Sequence, residues 1–86
     1  MSWSLSELKH KETEQHVYDL EYDTVGSHYL FDINQDFINF YDYGCDYEIS
    51  ENYDVVYSVD QMFTIEKWNE LFRELIKKAK IIAREL

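Results

Sequence analysis

The chain has 86 residues, eight Lys plus Arg against eighteen Asp plus Glu, and a formal charge of −10; that length builds one small core, burying roughly 60 to 65% of the unfolded surface, and rules out a two-domain enzyme. Hydrophobic residues at 45% and aromatics at 17% exceed what a disordered acidic tail carries, so a single folded domain over residues 1–86 is expected. A lone cysteine, Cys45, excludes an internal disulfide and any paired-cysteine zinc or redox motif, and no uncharged run approaches the roughly 20 residues that span a bilayer.

Near the start, Ser4 followed three positions later by Glu7 reads as a capping box, with Trp3 and Leu8 placed as a hydrophobic staple. This pattern predicts a short helix from Leu5 to about Glu12. Tyr18, Leu20 and Tyr22 then alternate with Asp19, Glu21 and Asp23, the period of a half-buried strand with its carboxylates on the solvent face. Val25, Gly26 and Ser27 supply a turn, and alternation resumes from His28 to Asn34. Asn34, Gln35 and Asp36 form a second turn before a strand from Phe37 to Tyr43. Gly44 and Cys45 interrupt the pattern, and Asp46 to Ile49 offers a short additional strand. Beyond a loop at Ser50, Glu51 and Asn52, the residues Tyr53, Val55, Tyr57 and Val59 alternate once more. The sheet therefore has four strands, or five with Asp46 to Ile49.

The last segment predicts an amphipathic helix from Ile65 to about Glu85, capped by Thr64 and stapled by Phe63 and Trp68. Its apolar residues fall within an arc of about 140°, with Ile81 outside it. Glu70 with Arg73 and Glu74 with Lys78 are spaced to pair, each contributing roughly 0.2 to 0.5 kcal/mol to an isolated helix. The expected architecture is α+β: an antiparallel sheet, a short N-terminal helix, and a long C-terminal helix on one face.

Charge is unevenly placed along this frame. From Glu12 to Glu66, 55 residues contain no Lys or Arg and fourteen carboxylates, and all eight tyrosines fall in the same window. Lys9 and Lys11 precede it, and the other six cations follow it.

Catalytic and metal chemistry find little support in the residue patterns. Asp32, Asn34 and Asp36 match the first three ligands of a calcium loop, but Phe37 stands where that loop needs Gly and Tyr43 where it needs Glu. His10, His16 and His28 lack metal-ligand spacing and are expected as solvated side chains near element ends. Cys45 is surrounded by carboxylates, which disfavour a thiolate nucleophile. Two glycines cannot form a phosphate-binding loop. A non-enzyme without cofactor or metal is expected.

The remaining feature is the acidic, tyrosine-bearing surface. Carboxylates two apart on a strand repeat at roughly 6.6 to 6.8 Å, with neighbouring rows about 4.8 Å away. DNA presents one charge per roughly 3.4 Å of axis on each strand. An acidic sheet can therefore approximate a phosphate backbone. The candidate contact residues are Asp19, Glu21, Asp23, Asp32, Asp36, Asp42, Asp46, Glu48, Glu51 and Asp54.

In size, in the cation-free stretch Glu12 to Glu66 and in its strand-plus-helix pattern, the chain resembles the small phage-encoded inhibitors that mimic DNA, the anti-CRISPR and anti-restriction proteins. The resemblance implies a cytoplasmic protein, monomeric or a small homo-oligomer. It would bind neither DNA nor membrane, and would occupy the basic nucleic-acid groove of a CRISPR effector or restriction enzyme. Two other readings are compatible with the same residues: an immunity or antitoxin-like protein against a basic nuclease toxin, and an assembly adaptor using a sheet edge or Ile81.

Overall fold

A computed structural model describes residues 2–56 and 65–85. Its elements are β1 (Trp3–His10), β2 (His16–Tyr22), β3 (Ser27–Asp32), β4 (Phe37–Tyr41), α1 (Asp46–Asn52), β5 (Tyr53–Val56) and α2 (Ile65–Glu85). The strands form one antiparallel sheet in the order β4-β3-β2-β1-β5. The α+β class is as expected, with five strands. The expected Thr64 cap, the Phe63 half of the second staple, and Tyr57 and Val59 of the last strand lie outside the described residues.

Two expected elements change type. The N-terminal helix is absent, and Trp3–His10 is β1, which supplies the fifth strand. Its residues also alternate, and β1 is hydrogen-bonded on both flanks, with Leu5 opposite Leu20 of β2 and Leu8 opposite Val55 of β5. A helix of about eight residues is marginal by itself, so two ladders of tertiary pairing outweigh a local capping signal. Conversely, Asp46–Asn52 is helical. Asp46 and Glu48 stand in its first turn, where carboxylates complement the positive end of the helix dipole. Gly44, at φ 85°, supplies the left-handed step that turns the chain from β4 into it.

Cross-strand pairing sorts the side chains onto two faces. Leu5, Tyr18, Leu20, Tyr29 and Phe31 share the face covered by α2, which inserts Leu71, Leu75 and Ala79. Phe31, Leu20 and Leu75 are completely buried, and each fully buried side chain of this size contributes about 1.5 to 3 kcal/mol. The helix meets the sheet through Trp68, Leu71, Phe72, Leu75, Ile76, Ala79 and Ile82 of the anticipated arc, while Ala83 and Ile81 are exposed. The Glu74–Lys78 pair does not form: Lys78 Nζ donates to the Gln35 carbonyl at 2.7 Å, while Glu74 approaches Lys77 at 3.5 Å.

The second face carries Leu8, Val17 and Leu30, each nearly completely buried. The chain leaves β4 at one edge and rejoins the sheet as β5 at the other, so the intervening α1 crosses this face and plants Ile49 on those three residues. That crossing overturns the expectation of a bare solvent face on this side. In the β3–β4 turn, the Asp32 carboxylate accepts the backbone N–H groups of Asn34 and Asp36 at 2.8 and 3.0 Å. The calcium-like triplet is thus an Asx-type turn with a structural task. Among the described residues, no helix is long and apolar enough to cross a membrane.

Candidate functional site

The site lies on the α1 side of the sheet. β2 contributes Asp19 and Glu21, two residues apart and therefore on the same face. β3 places His28 directly opposite Glu21, with Tyr41 of β4 as its other cross-strand neighbour. The first residue of α1, Asp46, comes over the top as the helix crosses.

His28 is only 5% exposed and Asp19 8%. Both Asp19 carboxylate oxygens take the His28 Nδ1–H, at 2.8 and 3.0 Å. Nε2 faces the other way, toward Asp46 Oδ1 at 2.5 Å and Glu21 Oε2 at 3.6 Å. Burial alone would lower the imidazole pKa. The hydrogen bond and charge of Asp19, the hydrogen bond of Asp46 and the charge of Glu21 outweigh it and raise the pKa from 6.5 to about 9. His28 is therefore an imidazolium at neutral pH. The Glu21 carboxyl is itself raised, first by burial and then by Asp23, Asp19 and Asp46, against the opposing pull of His28.

This arrangement corrects two expectations. Asp19 does not stand in a solvent-facing row with Glu21 and Asp23, because it is buried and committed to His28, while Glu21 is half-buried and Asp23 exposed. His28 is not a solvated histidine: it is the cationic centre of the cluster. The missing signal was the hairpin register, since the sequence between Asp19 and His28 reveals a pairing only once Glu21 is known to face His28.

Of the other candidate contact residues, Asp23 is exposed and accepts the hydroxyls of Ser2 and Ser4 at 3.0 and 3.1 Å. Glu48 and Glu51 are exposed on α1, and Asp42 is exposed on the loop leading into it. Tyr43 and Tyr47, 79% and 70% exposed, stand among these carboxylates. Three candidates are not brought to the group. Asp32 and Asp36 belong to the β3–β4 turn, and Asp54 of β5 stands opposite Lys9 of β1 and approaches Lys11 at 4.0 Å.

Among the described residues, surface depressions lie on the α2 side. One, of about 390 Å³, is lined by residues that include Tyr18, Gln35 and Glu70. The other, of about 260 Å³, lies between Phe37 and Ile81. Neither includes a residue of the His28 cluster. No known protein family, curated protein or solved structure matches the chain.

Proposed function

We propose that this protein is an acidic inhibitor that docks into the basic nucleic-acid groove of a nuclease complex, of the CRISPR-effector or restriction-enzyme kind, as a mimic of DNA. One observation carries the reading: Asp42, Glu48 and Glu51 are exposed on α1 and the loop that leads into it, and there is no Lys or Arg in α1 or anywhere from residue 12 to 66. Helix positions three apart, such as Glu48 and Glu51, hold their side chains about 5 to 6 Å apart, a spacing compatible with a row of phosphates. The exposed rings of Tyr43 and Tyr47 add surface on which a guanidinium can stack.

The test compares the wild-type chain with Asp42→Asn/Glu48→Gln/Glu51→Gln, all exposed positions whose exchange leaves the cores intact. The wild type should inhibit DNA cleavage by a susceptible CRISPR effector or restriction enzyme, compete with duplex DNA for it, and lose affinity steeply as salt rises. The triple variant should inhibit at least about tenfold less well. Inhibition unaffected by the triple exchange, or binding that duplex DNA does not displace, would remove this reading.

A further inference from the structure

Three carboxylates, Asp19, Glu21 and Asp46, converge on one imidazole. Even with His28 protonated the group carries an excess of two negative charges, and the segment that builds it contains no Lys or Arg. The buried Asp19 is paired with His28, so the excess lies on Glu21 and Asp46, whose side chains are 33% and 73% exposed and can reach an ion arriving from solvent.

The geometry is that of a ligand set. Donor atoms of Glu21, His28 and Asp46 all lie within 4.8 Å of one another. Donors bound at about 2.0 to 2.2 Å to one tetrahedral ion stand roughly 3.3 to 3.5 Å apart. The Nε2 distances of 2.5 Å to Asp46 and 3.6 Å to Glu21 bracket that spacing, so small side-chain rotations suffice. Behind the imidazole, Asp19 accepts the Nδ1–H with both oxygens. This is the outer-shell partner that metal-bound histidines ordinarily have, because it fixes the tautomer and makes Nε2 the better donor. The inner side of the site is closed by the sheet, while the Asp46 side chain is largely exposed, which leaves room for water to complete the coordination.

We propose that Glu21, His28 and Asp46 bind a divalent transition-metal ion of the zinc class, with Asp19 positioning His28 from behind. One imidazole with two carboxylates is a borderline donor set that suits zinc better than magnesium or calcium, which prefer oxygen alone. An ion seated there displaces the Nε2 proton that His28 otherwise shares with Asp46, releasing it to solvent, and ties α1 to β2 and β3 through three bonds. The inference concerns the fold's own cation and stands whether or not the protein binds a nuclease.

Zinc chloride titrated into chelator-treated protein should bind one ion per chain, raise Tm, and shift the His28 Nε2 signal in nitrogen NMR. Asp46→Asn, a mostly exposed change that leaves both cores untouched, and Glu21→Gln should each weaken zinc binding at least about tenfold. Asp19→Asn should weaken it by about 10- to 100-fold. His10→Gln and His16→Gln should bind as the wild type does, and magnesium should leave the His28 signal in place. The proposal is overturned if zinc does not saturate by millimolar concentration. It is equally overturned if binding survives Asp46→Asn and Glu21→Gln in folded protein, or is lost on changing His10 or His16.

Discussion

At the scale of residues, His28 converts the acidity of the chain into a pH dependence. Its pKa is raised from 6.5 to about 9 in the fold, so the charged form is favoured more in the folded state than in the unfolded one. The stabilisation is complete below about pH 6.5 and is lost as pH rises through about 9, an effect on the order of 3 kcal/mol. Urea unfolding of chelator-treated wild type at pH 6 and pH 9.5 should show that loss, and Asp19→Asn should show much less of it. At pH 6 Asp19→Ala should destabilise by about 3 to 5 kcal/mol, because it leaves a buried imidazolium without its main partner. This centre could not be read from the sequence. Asp19 has the alternating position of a surface carboxylate and His28 that of a strand-end histidine; only register and the crossing of α1 place them together.

The elements divide according to where their determinants lie. α2, β2 and β3 were legible because their apolar periods are strong and agree with their tertiary use. β1 was not, because Ser4 and Glu7 satisfy a helix-start rule as well as a strand's alternation, and the deciding contacts come from β2 and β5. α1 was not, because a seven-residue segment with one buried side chain, Ile49, has no period to detect. Within α2, Leu75→Ala should cost about 2 to 5 kcal/mol by cavity formation, whereas Ile81→Ala should stay within about 0.5 kcal/mol, both measured by denaturant unfolding. The edge strand β4 is uncharged and exposes Phe37 and Ile38. Antiparallel pairing of two copies about Asn39 would set Asp36 against Asp42 of the other copy, a like-charge contact that opposes pairing at this edge. Asp36→Asn/Asp42→Asn should therefore raise the sedimentation-derived mass at concentrations where the wild type shows none of this increase.

For the molecule as a whole, eighteen carboxylates against eight Lys and Arg give a formal charge of −10. Self-repulsion of this kind opposes compaction and is screened by electrolyte. Thermal unfolding in sodium chloride should accordingly shift to higher temperature between low and physiological ionic strength, with or without a binding partner. The same addition of salt should weaken engagement of a basic groove, so the two measurements move in opposite directions.

The sheet also separates two helices of opposite character: α1 carries Asp46, Glu48 and Glu51 without a cation, while α2 on the far side holds six Lys and Arg against four Glu. Such a body has an electric dipole with a component directed from one face of the sheet to the other. In the field of a cationic surface it experiences a torque before any contact is made, and arrives already turned. Neutralising α1 should then be felt chiefly in how often encounters succeed, and far less in how long a formed complex lasts.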